Sequence, residues 1–190
     1  MDTVGLPVLR EMSRRGTPFQ GLLYVGLALT RRGPHVIEFN VRFGDPETQV
    51  VLARLKSPLG QLLFRSATGA LDEQPPLQWS NGAAVTVVMA AAGYPGTPQA
   101  GDEIIGVDRA DSRNAVDVLH AGTKRNEDGA LVAAGGRVLS VTAAGDTLVD
   151  ARARAYVAVG DISWAGERHR SDIALAACEG RVDVPRRDQE

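Results

Sequence analysis

Residues 36–49 read Val-Ile-Glu-Phe-Asn-Val-Arg-Phe-Gly-Asp-Pro-Glu-Thr-Gln, and no other stretch limits the fold as strongly. The first half alternates. Val36, Glu38, Asn40 and Arg42 fall on one face of a strand, and Ile37, Phe39 and Val41 on the other. A period of two sets a carboxylate, an amide and a guanidinium in one row, successive members about 6–7 Å apart. The opposite face is apolar and is expected to enter a core. Gly44 permits a turn. Asp45 then suits the cap of a helix with Pro46 at its first position and Glu47 beside the positive end of the dipole. A polar row therefore runs directly into a helix N-terminus.

That juxtaposition suits a phosphate and a metal ion. Glu38 and Asn40 offer hard oxygen ligands to Mg²⁺, which takes one or two carboxylates together with substrate phosphates. Arg42 offers a fork for phosphate or carboxylate, and the amides that open the helix can receive an anion. The same alternation also fits an edge strand with a solvated polar face leading into an ordinary capped helix. The residues leave both readings open, although three elements converge on one spot.

Length and composition set outer limits. A chain of 190 residues can form one large domain or two small ones. Its 44% hydrophobic and 23% charged content is that of a soluble globular protein. A net charge of −2 gives no reason to expect nucleic-acid binding. Arginine carries nearly all the positive charge; the only lysines are Lys56 and Lys124. Cys178 is the lone cysteine, which excludes an internal disulfide and a Cys-rich zinc site and fits a reducing compartment. No stretch reaches the roughly 18 apolar residues of a membrane span, and the start lacks a signal pattern. A cytoplasmic location is expected.

Along the chain, residues 3–15 read as a helix stopped by Gly16, and 19–30 as an apolar strand. Arg31-Arg32-Gly33-Pro34 turns the chain into the strand of 36–42, giving a hairpin. A helix follows over 46–55. Ser57-Pro58 then opens a third, with Leu59, Leu62, Leu63, Ala67 and Leu71 on one stripe. The polar Pro75-Pro76 stretch reads as a boundary. Beyond it, short strands are expected at 84–91, 103–107, 115–120, 130–134 and 137–143, with a hairpin turn at 126–129. A helix over 146–159 aligns Leu148, Arg152, Ala155 and Val159, the arginine stem covering apolar surface. Ser171 is expected to cap a last short helix through Cys178, and 181–190 to form a frayed tail.

Three glycine-bearing loops stand out in the second half: 93–96, 120–124 and 135–137. Glycine serves first where a turn needs positive φ. It also lets backbone amides approach a substrate, with Lys124 or Arg137 near a phosphate. His120 has no carboxylate or nucleophile pattern beside it and reads as a packed or capping histidine. His35 and His169 read as surface residues, and three scattered histidines make a weak metal argument. Trp79 and Trp164 read as small-domain anchors. There is no Gly-x-x-x-x-Gly-Lys phosphate loop, no Gly-x-Ser-x-Gly and no His-Glu-x-x-His.

Several of these segments resemble one family. Gly21-Leu22-Leu23-Tyr24-Val25-Gly26-Leu27, Gly33-Pro34-His35-Val36-Ile37-Glu38-Phe39-Asn40 and Arg42-Phe43-Gly44-Asp45-Pro46-Glu47-Thr48-Gln49 look like the phosphoribosylamine–glycine ligases, ATP-grasp enzymes of purine synthesis. The resemblance continues through Ala90-Ala91-Ala92-Gly93-Tyr94-Pro95-Gly96, His120-Ala121-Gly122-Thr123-Lys124, Gly135-Gly136-Arg137-Val138-Leu139 and Arg170-Ser171-Asp172-Ile173. It implies an α+β fold. Residues 1–78 would be the C-terminal part of an ATP-grasp domain, antiparallel strands with helices. Residues 79–180 would be a small β-rich substrate-side domain closed by a helix.

The resemblance also supplies a reaction: ATP-dependent ligation of glycine to 5-phosphoribosylamine through glycyl phosphate. It implies Glu38 and Asn40 as ligands of the Mg²⁺ or Mn²⁺ carried by ATP, and Arg42 and Asp45 as catalytic residues. Arg42, Gly44, Asp45, Lys124, Gly136 and Arg137 would bind substrate or cofactor. The family's flap-bearing, lysine-rich ATP lobe and its nucleotide-fold domain lie N-terminal to the part that resembles this chain. The expectation is therefore a C-terminal portion that holds half a site, with a separately encoded N-terminal half as a partner. Two other readings stand beside it: a non-catalytic binding or assembly module that keeps the fold, and an ATP-grasp ligase with another amine acceptor.

Overall fold

The structure is a computed structural model describing residues 1–30 and 32–182. Its elements are α1 (Gly5–Arg14), β1 (Tyr24–Thr30), β2 (Gly33–Asn40), α2 (Glu47–Arg54), α3 (Leu59–Thr68), a 3₁₀ turn (Leu71–Glu73) and β3 (Ala83–Ala90). After these come α4 (Val107–Asp111), β4 (Val116–His120), β5 (Thr123–Arg125), β6 (Leu131–Ala133), β7 (Arg137–Gly145), α5 (Leu148–Val159) and α6 (Leu175–Cys178). The described residues form two compact units. One comprises 1–45 and 55–79. The other comprises 80–182 together with 46–54, which carry α2. Every paired sheet is antiparallel, so the chain is α+β as expected.

The second unit holds the buried core. Its sheet has the order β3-β7-β4. Register pairs Val85 with Ala143, Val87 with Val141 and Met89 with Leu139, while Val116 and Val118 from β4 meet Ala143 and Val141. All of these lie on one face, and α5 packs against it. Residues 138–143 are buried on both faces, which marks β7 as the central strand. Burying a side chain such as Leu139 or Met89 contributes about 1.5–3 kcal/mol. The Glu11–Arg14 and Glu11–Arg15 pairs of α1 are open to solvent, where water and salt screen them and little stability results. Apolar packing on β7 therefore dominates.

α5 meets the sheet through Ala151, Ala155, Ala158 and Val159, small residues that let the helix come close. Arg152 stands outside this stripe, a correction to the expected alignment. Thr147 caps the helix, its Oγ1 accepting from the Asp150 N–H at 3.1 Å. On the other face of the sheet, the Thr86 and Thr142 hydroxyls bond each other at 2.8 Å. Thr142 is wholly buried, so this bond satisfies a group that would otherwise be costly.

Several local expectations are corrected. Residues 103–107 form no strand: Glu103 and Ile105 make isolated bridges, and Gly106, at φ +86°, turns the chain into α4. Lys124 lies in β5, not in a loop. Gly69, at φ +74°, ends α3 before Leu71, and none of the α3 leucines is buried. Ser57 does not cap α3; its hydroxyl accepts from the Gln78 N–H at 2.9 Å. Nor does Ser171 cap α6, which begins after Ala174 at φ +59°. The first strand starts at Tyr24, not at residue 19. Trp164 is buried in the core, whereas Trp79 is exposed. Arg31 of the expected turn and residues 183–190 of the expected tail lie outside the described residues.

The largest revision concerns the hairpin of the first unit. Ile37, Phe39 and Val41 do not enter a core; they are 69%, 43% and 70% exposed. A two-stranded sheet has no third strand or packed layer with which to bury a face.

Asp161, after α5, accepts from Arg109 at 2.7 Å and from Arg113, tying α4 to this corner. Its side chain is 8% exposed. The Arg113 hydrogen bond, with Arg109 adding its charge, holds the carboxyl below the usual carboxylate range against the opposing effect of burial. A depressed folded pKa stabilises the fold above the unfolded value of about 4, and that contribution disappears as pH falls through the folded value. Asp161→Asn is expected to lower the melting temperature at pH 7. In a pH series followed by circular dichroism, its difference from the parent should shrink as pH falls below the ordinary carboxylate value and through the depressed folded one. Gly106→Ala is expected to cost about 3 kcal/mol or more in urea unfolding, because its Cβ would lie 1.8 Å from the Asp161 carbonyl oxygen.

Candidate functional site

The candidate residues divide between the two units. Glu38, Asn40, Arg42, Gly44 and Asp45 belong to the first, and Lys124, Gly136 and Arg137 to the second.

In the first unit, β2 pairs with β1 so that Glu38 faces Gly26 and Asn40 faces Tyr24, with a bulge after Gly26. Two residues apart on one strand, Glu38 and Asn40 share a face. Glu38 is exposed and its Cγ sits 3.1 Å from where a Gly26 Cβ would be. The glycine thus leaves room for the carboxylate arm. Asn40 is half-buried, and its Nδ2 has no hydrogen-bond partner among the described residues. The unused group is an N–H donor, which suits an acceptor and not a cation; the metal reading rests on the amide oxygen. Among the described residues no three His, Cys, Asp or Glu side chains cluster as a metal cage. The pair alone would supply two oxygens, and substrate oxygens or water would have to complete the shell.

Arg42 departs from the expected row. The strand ends at Asn40, and the Arg42 Nη1 donates to the Phe43 carbonyl at 2.8 Å. Gly44 is buried and Asp45 exposed. Helix α2 begins at Glu47, one residue later than expected, with Asp45 and Pro46 in the turn before it.

In the second unit the three glycine loops come together. The Gly122 N–H donates to the Arg137 carbonyl at 2.9 Å, and the Ala134 N–H to the Gly122 carbonyl at 2.7 Å. The Ala91 N–H donates to the Gly136 carbonyl at 2.9 Å. Their glycines are required by contact. A Cβ on Gly122 would lie 2.6 Å from the Arg137 oxygen, and one on Gly136 would lie 2.4 Å from the Tyr94 ring. His120 makes a local bond, Nδ1 to the Thr123 hydroxyl at 3.0 Å, as a capping histidine does.

Beside these loops is a cavity of about 420 Å³. Its floor is the face of β3 turned away from α5: Thr86, Val88 and Ala90. Pro46, Tyr94 and Ile173 add apolar and aromatic wall. The charged lining is Arg137, Arg168, His169 and Arg170. Of the sequence candidates in this unit, Arg137 lines the cavity, Gly136 backs Tyr94, and Lys124 sits in β5 opposite Val132. Sequence reasoning missed Arg168, left His169 on the surface, and quoted Arg170 only within the string Arg170-Ser171-Asp172-Ile173, without a role. The basic run 168–170 carries no periodicity that would place it beside β3.

Comparison with known proteins assigns this combination of an antiparallel hairpin and a glycine-looped, arginine-lined small domain to the ATP-grasp class. Residues 1–48 match the family model described as phosphoribosylglycinamide synthetase, ATP-grasp (A) domain, and residues 84–176 match phosphoribosylglycinamide synthetase, C domain. The chain belongs to the phosphoribosylglycinamide synthetase family. It is 61% identical to the phosphoribosylamine–glycine ligase of Streptomyces coelicolor over 93% of its own length and 43% of the relative's. It is 56% identical to that of Mycobacterium tuberculosis over 94% and 41%. The chain thus spans about two-fifths of the curated relatives it matches.

Among solved structures, the phosphoribosylamine–glycine ligase of Thermotoga maritima superposes with a TM-score of 0.73 at 34% identity, covering 86% of this chain and 39% of that one. The biotin carboxylase domain of the Hydrogenobacter thermophilus 2-oxoglutarate carboxylase, solved with MgADP, ADP and bicarbonate, superposes with a TM-score of 0.57 at 16% identity. It covers 88% of this chain and 36% of that one, and the likeness is one of fold. No helix among the described residues is long and apolar enough to cross a membrane.

Gly136→Ala is expected to cost about 1–2 kcal/mol by forcing the Tyr94 ring aside. Tyr94→Ala in that background should recover most of the loss. A double-mutant cycle in urea measures the coupling.

Proposed function

We propose that this chain is the C-terminal part of an ATP-dependent ligase that joins glycine to 5-phosphoribosylamine, releasing ADP and phosphate. The observation that carries the reading is the Glu38–Asn40 pair, two oxygen-bearing side chains on one face of a strand, inside a segment that matches the family's ATP-grasp model. On this reading residues 1–78 complete an ATP-grasp domain and 79–180 form the substrate-side domain.

The chemical difficulty is the approach of one anion to another. The glycine carboxylate attacks the γ-phosphorus of ATP, ADP leaves, and glycyl phosphate forms. The amine of 5-phosphoribosylamine then attacks the acyl carbon, phosphate leaves, and the amine gives up a proton. Cationic groups must neutralise both partners for either step to proceed. Glu38 and Asn40 would hold Mg²⁺, which screens the phosphate oxygens and polarises the γ-phosphorus. Mn²⁺ has similar ligand preferences. Arg42 and Asp45 are assigned to the glycine and phosphate end. In the second unit, the Gly136 loop, Lys124 of β5 and Arg137 are assigned to the phosphoribosylamine.

We assign the ATP-holding groups to the part of the relatives' length that this chain does not span. The exposed apolar residues of the hairpin, Leu29, Ile37 and Val41, support a surface that a further layer would cover.

The test mixes the chain with the N-terminal part of the Streptomyces coelicolor relative and follows ADP release that depends on both glycine and phosphoribosylamine. Activity is expected in the mixture with Mg²⁺. Glu38→Ala is expected to reduce it by about a hundredfold or more, with an unchanged circular dichroism spectrum because Glu38 is exposed. Absence of activity in every combination, with both parts folded, would favour a non-catalytic assembly module.

A further inference from the structure

Helix α5 has an outer side that the core does not use. Ala153 and Val157, one turn apart on it, are exposed, and Arg154 beside them is half-buried. The chain between α4 and β4 runs next to this side, and together they enclose a second cavity of about 320 Å³. Among the described residues its lining is Arg113, Asn114, Val116, Ala153, Arg154 and Val157. It shares none of these with the larger cavity, and no acidic side chain is among them.

Each arginine of this lining is anchored through one nitrogen. Arg154 donates from Nη1 to the Ala144 carbonyl at 2.9 Å. Arg113 donates from Nε to Asp161, whose other oxygen is held by Arg109 at 2.7 Å. The remaining nitrogens of both forks make no further hydrogen bond among the described residues. Two guanidiniums are thus oriented in advance with donors to spare, and an anion that takes those donors costs them little further freedom.

The turn between Arg113 and β4 is strained. Ala115 has φ +58°, a left-handed conformation that is costly for a residue with a Cβ. It is held from both sides. Its carbonyl accepts from the Ala144 N–H at 2.9 Å, and the Val116 N–H bonds the Arg113 carbonyl at 3.3 Å. Ala144 therefore ties the site together, its N–H fixing the turn and its carbonyl fixing Arg154. Strain that a fold retains in this way concentrates at ligand clamps.

We propose that this second cavity binds a small carboxylate with an apolar body. Arg113 and Arg154 take the carboxylate, Asn114 adds an amide at the rim, and Val116, Ala153 and Val157 take the body. Guanidinium forks match the two oxygens of a carboxylate. A bare anion would leave the valines uncovered, and a neutral apolar molecule would leave the forks unused. The volume stands at the small end of the roughly 300–1,000 Å³ of ligand pockets, which selects a compact molecule. The proposal does not depend on the ligase reading, since none of its residues is assigned to that reaction.

The test is a titration of the 190-residue chain with hydrocinnamate, followed by amide chemical shifts and calorimetry. Acetate, inorganic phosphate and hydrocinnamyl alcohol serve as controls. Saturable binding is expected, with the largest shifts at 113–116 and 153–157 and each control weaker by about tenfold or more. Arg154→Ala should weaken binding about tenfold or more. Arg113→Lys keeps a cation beside Asp161 but loses the fork, and should weaken it several-fold. Val157→Glu should abolish it. Because Val157 is 53% exposed, that variant should keep the parent's circular dichroism spectrum, and it decides the matter if Arg154→Ala does not fold.

A folded chain that binds no hydrocinnamate overturns the proposal. So does binding that survives Val157→Glu, or shifts centred on the larger cavity. Equal binding of the alcohol removes the role given to the arginines, and equal binding of phosphate removes the role given to the valines; either result overturns the ligand class.

Discussion

The second unit depends on the burial of β7. From Val138 to Ala143 every residue is closed off, with α5 on one side and, on the other, the face that carries the Thr86–Thr142 bond. A central strand covered on both faces cannot slip by one residue without driving Ser140 or Thr142 into the apolar layer beneath α5. Register is therefore fixed. With it is fixed the position of Arg137, the first residue of β7, at the mouth of the cavity. The chemistry proposed for this unit begins one residue from its most rigid part.

Close backbone approach is the second constraint. Gly122, Gly135 and Gly136 bring two loops and the Tyr94 ring to distances that no side chain would allow. These glycines were visible in the sequence, and so was the turn at 126–129. Which loop met which was not visible, because the contacts join residues far apart in the chain. Lys124 shows the limit. It belongs to a motif that looked like a phosphate-holding loop, yet the sheet pairing takes it into β5, opposite Val132.

The hairpin of the first unit teaches a different lesson. Alternation correctly placed Glu38 and Asn40 on one face, since that follows from the period of two alone. It also called for Ile37, Phe39 and Val41 in a core, and they are exposed. Periodicity reports which residues share a side; it does not report whether anything is packed there. Arg42 fell out of the row because the strand stops at Asn40, an end set by hydrogen-bond pairing with β1 and not by side-chain type.

From the sequence alone came the strands expected at 84–91 and 137–143, the helix of α5, the Glu38–Asn40 pair, and the family resemblance with the α+β class it implies. All of these are carried by residues close together in the chain or by long identical strings. Only the tertiary structure decided that Arg168 bridges to β3, that Arg152 leaves the core stripe of α5 to bond the Ser171 and Ile173 carbonyls, and that His169 lines a cavity. Those facts depend on pairings between segments roughly 15 to 80 residues apart, with no periodicity to announce them. Local patterning is written by neighbours along the chain, whereas a binding wall is assembled from groups that meet only once the core has closed.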